Sequence, residues 1–176
     1  MKLEKGQVQV YTGNGKGKTT AALGLSLRAL GHGLRVCMVQ FMKGGGPYGE
    51  HRLAQSRLDG LTIHTTGRKG WVTKGAPSPD DLDEARRGLG LAEVALSSRY
   101  YDLVVLDEIN GAVDFGLLGV EEVLRLIAAR PPQVELVLTG RNAPSPIIDA
   151  ADLVSEVREV KHYFSQGVNF RVGIER

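Results

Sequence analysis

Apolar and polar positions along the chain change their period in a regular way. Short apolar runs rich in β-branched residues fall at 8–11, 35–41, 61–64, 103–106, 134–138 and 153–157. Between them, 18–30, 79–96 and 120–129 carry apolar residues at helical spacing. In the last of these the apolar positions are Val120, Val123, Leu124, Ile127 and Ala128, and Pro131-Pro132 ends the helix. Strands alternating with helices predict an α/β fold, a mostly parallel sheet with helices on both faces. Several runs are apolar throughout, as when both faces of a strand are covered. With no repeat and no linker, the 176 residues are expected to form a single domain over 1–176.

Two stretches break the alternation. Residues 41–50 read FMKGGGPYGE and residues 65–78 read TTGRKGWVTKGAPS. Both follow strands, so both are expected at the carboxyl edge of the sheet, where open parallel sheets bind ligands. Composition sharpens this. The chain has 23 glycines, well above the usual share of about 7%. With only 7 prolines and no G-X-Y period, collagen and low-complexity disorder are excluded, and the glycines point to tight turns or to backbone approaching a ligand. The net charge of +2 argues neither for nor against a polyanionic partner. Cys37 lies in an apolar run and is expected as a small buried hydrophobe in a reducing compartment. No apolar stretch has the roughly 18 residues of a membrane helix, and the first residues show no signal-peptide core, so a soluble cytoplasmic protein is expected. His32, His51, His64 and His162 have no metal-ligand spacing, which disfavours a zinc site.

The first strand runs into Thr12-Gly13-Asn14-Gly15-Lys16-Gly17-Lys18-Thr19-Thr20 and then a helix. The end of this run matches the phosphate loop G-x-x-x-x-G-K-[ST], while its first glycine is one place late. The expected fold is therefore P-loop NTPase-like (RecA-like). Gly13, Gly15 and Gly17 let the backbone curl so that amides face a phosphate. The helix start adds free N–H groups and a positive dipole end. Lys18 brings a point charge, and the Thr19 hydroxyl can ligate magnesium. Asn14, at the bend, is placed for sugar or base. Ninety residues on, the apolar run 103–106 ends in Asp107-Glu108. These acids would hold Mg²⁺ (or Mn²⁺), with Glu108 as a base or a further ligand. Arg141, after the fifth strand, is expected at the same edge. These motifs imply a nucleoside triphosphate with a divalent cation but leave the reaction open. A P-loop kinase or ATPase acting at the γ-phosphate remains compatible with them; a nucleic-acid motor lacks a basic stripe.

GNGKGKTTAALG, VQFMKG, LDEINGAVDFGLL, LTGRNAP and ADLVSEV, in this order, resemble the P-loop family of ATP:corrinoid adenosyltransferases over nearly the whole chain. The resemblance implies transfer of the 5′-deoxyadenosyl group of ATP to the Co(I) of a reduced corrinoid, with loss of triphosphate, in adenosylcobalamin biosynthesis or salvage. Lys18, Glu108 and Arg141 become the candidate catalytic groups. Phe41, Lys43 and Trp71 become the candidate corrinoid contacts, on glycine-rich loops expected to close over the ring. Where many members carry Gly-Phe-Thr-Trp, this chain reads Gly70-Trp71-Val72-Thr73. By the same resemblance His162 falls near the phosphates, a reduced flavoprotein supplies electrons, and the protein is a homodimer.

Overall fold

The computed structural model describes residues 3–175; Met1, Lys2 and Arg176, at the ends of the expected domain, lie outside them. Six strands appear where the apolar runs predict them: β1 (Val8–Thr12), β2 (Val36–Gln40), β3 (Leu61–Thr65), β4 (Leu103–Asp107), β5 (Glu135–Thr139) and β6 (Leu153–Glu156). They form one sheet in the order β3-β2-β4-β5-β1-β6. Every pairing is parallel, so the sheet is wholly and not just mostly parallel. The long helices also match their periodicity: α1 (Lys18–Gly31), α3 (Pro79–Ser97) and α5 (Val120–Ala129). Three short helices, α2 (Gly49–Ser56), α4 (Ile109–Asp114) and, after α5, α6 (Ser145–Asp149), are ones the apolar pattern did not predict. Helices this short complete too few turns to show a period.

The pleat sorts the core into two layers. Val36, Met38, Leu103, Val105 and Val137 face α1, packing on Ala22 and Ala29. Cys37, Val39, Val104, Leu106, Leu136 and Leu138 face the other way, onto Ala85, Ala92 and Leu96 of α3 and Val123 and Leu126 of α5. Helices thus cover both faces, which makes this an α/β P-loop NTPase-like fold. β2 and β4 are buried along their whole length, and β6, at the edge, is exposed. Burial pushes the Cys37 thiol up to about 12, which keeps it an inert hydrophobe. Among the described residues no helix is long and apolar enough to cross a membrane.

At the carboxyl edge the four central strands each end in a polar residue: Gln40 on β2, Asp107 on β4, Thr139 on β5 and Thr12 on β1. Three of these, Gln40, Asp107 and Thr139, have no exposed surface at all. Buried polar groups at a strand end must find partners, and those partners define the site.

Candidate active site

The chain leaves β1 at Thr12 and enters α1 through Gly17, whose φ of 122° no residue with a side chain adopts readily. The loop closes around Lys18, the first residue of α1. Lys18 is buried, and its Nζ donates to the carbonyls of Gly13 at 2.6 Å and Gly15 at 2.9 Å. In the structure this lysine fills the loop's centre. Burial lowers its pKa, a pull that Arg141 reinforces and that the charges of Glu108 and Asp107 oppose.

The loop glycines divide by role. A side chain on Gly13 or Gly15 would strike the backbone of Val157 or Arg158 within 3 Å, because both pack beneath the segment that follows β6. The Gly15 amide donates to the Val157 carbonyl at 2.7 Å, so it already has a partner. Of the three, Gly17 alone faces open space. Asn14, Lys16 and Thr20 are exposed around it. Thr12 Oγ1 accepts from the Ala143 amide at 3.2 Å, which ties the loop to the turn after β5.

Asp107 is the hub of the edge. Its Oδ1 accepts from Thr19 Oγ1 at 2.8 Å and from Thr139 Oγ1 at 2.7 Å. Its Oδ2 accepts from Lys43 Nζ at 2.7 Å and from Gln40 Nε2 at 3.3 Å. Thr19 and Asp107, 88 positions apart in sequence, are thus brought into direct contact. Glu108 follows in the left-handed region at φ 62°, with its amide donating to Thr139 Oγ1 at 3.0 Å. Burial raises the Glu108 pKa, and the neighbouring Asp107 charge raises it further; Lys43, Lys18 and Arg141 pull the other way. Arg141 is exposed beside the loop, its Nη2 3.4 Å from the Asn14 carbonyl. Cationic and hydroxyl groups therefore converge on two adjacent carboxylates at the mouth of a helix. Such a set suits a triphosphate and a hard divalent cation, whose ligands are carboxylate, hydroxyl and phosphate oxygen. Among the described residues no group of three or more His, Cys, Asp and Glu side chains gathers to hold a metal by itself.

The three expected corrinoid contacts separate. Trp71 is 91% exposed and free of any packing role. Phe41 has no exposed surface; it lies under Gly88 of α3, where an added Cβ would meet its ring at 2.6 Å. It is a core residue, and a corrin meets it only if the surrounding loop opens. Lys43 points inward to the Asp107 ion pair. Burial is the largest single influence and lowers its pKa, but the charge and hydrogen bond of Asp107, with the charges of Glu50 and Glu108, together raise it.

The two glycine-rich loops are also less free than expected at their roots. The Lys43 amide donates to the Thr66 carbonyl at 2.8 Å, and a Cβ on Gly44 would sit 2.2 Å from the Arg68 backbone. Beyond that clip, an open cleft of about 620 Å³ runs along β3, lined by Lys43, His51, Thr62, Thr65 and Arg87 among others. His51 Nδ1 accepts from the Tyr48 amide at 3.2 Å, which puts the ring proton on Nε2, 2.6 Å from Gln40 Oε1. Burial lowers the His51 pKa and keeps it neutral in that chain of bonds. On the far side, Lys74 Nζ contacts both oxygens of Asp114 at 2.7 Å, and Asn142 Nδ2 reaches the same carboxylate at 3.0 Å. This joins the Trp71 loop to the Arg141 turn. His162 caps the short 3₁₀ turn Tyr163–Gln166 by accepting from the Phe164 amide.

Sequence reading did not single out Gln40, Thr139 and Asp114. The first two leave a signal: each is a polar residue closing an apolar strand, as Asp107 is. Asp114 leaves none.

Residues 4–176 match the family described as ATP:corrinoid adenosyltransferase BtuR/CobO/CobP. The corrinoid adenosyltransferase of Escherichia coli (strain K12) is 41% identical over 98% of this chain and 86% of its own length. Corrinoid adenosyltransferase CobA of Salmonella typhimurium is 40% identical over the same shares. The corrinoid adenosyltransferase of Pseudomonas aeruginosa is 38% identical over 98% of this chain and 84% of its own length.

Proposed function

The chain belongs to the ATP:corrinoid adenosyltransferase family and is a corrinoid adenosyltransferase, and we propose that the edge built around Lys18, Asp107 and Arg141 presents ATP to the corrinoid. The γ-phosphate kinase or ATPase reading, open on the nucleotide motifs alone, is not favoured by this membership. Reduced Co(I) is itself a strong nucleophile, and substitution at C5′ of the ribose moves no proton. The protein therefore needs no activated side chain and no general base. Its tasks are to hold C5′ in line with cobalt and to stabilise the triphosphate as it leaves.

The residues divide those tasks. Lys18, the amides at the start of α1 from Gly17 to Thr20, and Arg141 take the triphosphate. Thr12, Gly13, Gly15 and Lys16 shape and flank that cradle, and Asn14 takes sugar or base. Thr19 and Asp107, with Glu108, hold Mg²⁺ (or Mn²⁺), which supplies charge to the phosphate oxygens. Glu108 is then an acidic ligand and not a base, consistent with a reaction that transfers no proton. Trp71, with the cleft beside Lys43, offers the surface for the corrin. A homodimer, a reduced flavoprotein donor, a cytoplasmic location and a single domain complete this reading.

The observation that carries it is the Thr19–Asp107 contact directly beneath the Lys18 loop. Incubation with ATP, Mg²⁺ and chemically reduced cobalamin should yield triphosphate and a light-sensitive Co–C bond. Release of ADP alone would overturn the proposal.

A further inference from the structure

The Asp107 carboxylate has about four lone-pair sites, and all are taken: two by the hydroxyls of Thr19 and Thr139, two by Gln40 and Lys43. A cation reaching either oxygen has to displace a donor. Lys43 is the one donor of the four that carries charge, so it is the one a divalent cation repels. Its backbone cannot follow, because the Lys43 amide is tied to Thr66 and Gly44 is wedged against Arg68. The flexible stem can. The ammonium already lies 5.7 Å from the Tyr48 ring centroid, and the side chain lines the cleft along β3.

We propose that Lys43 is a tethered cation that neutralises Asp107 until a divalent cation arrives, and is then displaced into the cleft. This rests on the metal assignment above and deepens it. A wholly buried carboxylate without a counter-charge is strongly unfavourable, so an acid this deep needs a stand-in whenever the metal is away. Once displaced, Lys43 has a cation–π face at Tyr48 to rest on. It also adds positive charge to a polar cleft beside the candidate corrinoid surface, where the amide carbonyls or carboxylates at the rim of a corrin accept hydrogen bonds. Lys43 is a positioning residue in this scheme: it links metal loading to the preparation of the second substrate's site.

The test is Mn²⁺ titration of the full chain, free Mn²⁺ being read by electron paramagnetic resonance, with and without inorganic tripolyphosphate. Lys43→Met removes the competitor and should tighten Mn²⁺ binding about tenfold; equal or weaker binding overturns the proposal. Because this variant leaves Asp107 without a counter-charge and can cost the metal-free fold, the wild type supplies a second readout. Acetylation of Lys43 by an N-hydroxysuccinimide ester, followed by mass spectrometry, should speed up several-fold when Mn²⁺ alone is added. An unchanged or slower rate also overturns it. Asp107→Asn separates the two layers of inference. If it binds Mn²⁺ like wild type, the metal assignment falls and Lys43's displacement with it. If it loses Mn²⁺ while Lys43→Met gains nothing, the displacement alone falls.

Discussion

The middle and the flank of the carboxyl edge are built by different rules. In the middle, between β1, β5 and β4, the two central charged groups, Lys18 and Asp107, are buried and held by several partners. Lys18 is locked by two loop carbonyls, and Asp107 by four donors. On the flank, Trp71 is almost wholly exposed, and its loop is held to the rest of the edge through the Lys74–Asp114 pair. The contrast follows from the ligands. Developing charge on a leaving triphosphate is stabilised best by donors that need no reorganisation in a site that excludes water. A large flat ring is bound by area, and area can be supplied by a side chain that waits in solvent. Substitutions in the middle should therefore act on chemistry and fold together, whereas those on the flank should act on one substrate and leave the fold alone.

Lys18→Ala tests the middle most severely. Loss of the phosphate charge should lower kcat/KM for ATP about 10²–10³-fold. Because Lys18 is buried and closes the loop on itself, the variant should also lose about 1 kcal/mol of stability for its unmade hydrogen bonds, seen in urea denaturation. A large activity loss with no change in stability would show that the loop shape does not depend on this side chain.

Glu108→Gln has a smaller effect of mixed sign. The folded-state pKa of Glu108 is raised, so the folded protein binds this proton more tightly than the unfolded chain does. Glu108 therefore costs stability as pH rises from the ordinary glutamate value of about 4.3 through its raised value, and the cost persists at neutral pH. In metal-free protein, Glu108→Gln should raise the melting temperature at pH 7 and leave it unchanged well below pH 4. The same variant should be less active with Mg²⁺. A lower melting temperature at pH 7 would mean that Glu108 is stabilised by partners, as an ordinary paired carboxylate is.

Much of the middle was legible in the sequence, for a physical reason. Strands covered on both faces read as apolar runs, and the loop–helix junction demands glycine, lysine and threonine at fixed spacing. What escaped was whatever depends on register between strands. Gln40 lies level with Asp107 across the β2–β4 ladder. That places Lys43, three residues further on, against the acid, and nothing in the sequence shows this alignment. Lys43 therefore reads as a flank residue in sequence and belongs to the middle in space. Gly13 and Gly15 read as phosphate glycines for the same reason: the segment they make room for is more than 140 positions away. Phe41, the residue after β2, sits on the turn from core to loop, where apolar character alone does not distinguish a ligand contact from packing.

On the flank, Trp71→Ala should raise the KM for the corrinoid about tenfold, the loss of about 1.4 kcal/mol of aromatic contact, and leave the KM for ATP unchanged. With the ring 91% exposed, stability should move by less than about 0.5 kcal/mol. Equal effects on both substrates, or a clear drop in melting temperature, would dissolve the distinction between the two regions.

Lys74→Ala should have the smallest effect and makes the finest test of where the regions meet. Lys74 is more than half exposed, and such pairs contribute about 0–1 kcal/mol, so the melting temperature should barely change. The pair nevertheless joins the Trp71 loop to Asp114, which also holds Asn142, next to Arg141. If that tie orients the tryptophan, Lys74→Ala should raise the corrinoid KM two- to threefold. Raising the salt concentration should weaken the wild type towards the variant, since an exposed pair is screened, and should leave the variant's own KM nearly flat. A variant as salt-sensitive as the wild type would show that the Trp71 loop keeps its place without the pair, and the flank would then be independent of the middle.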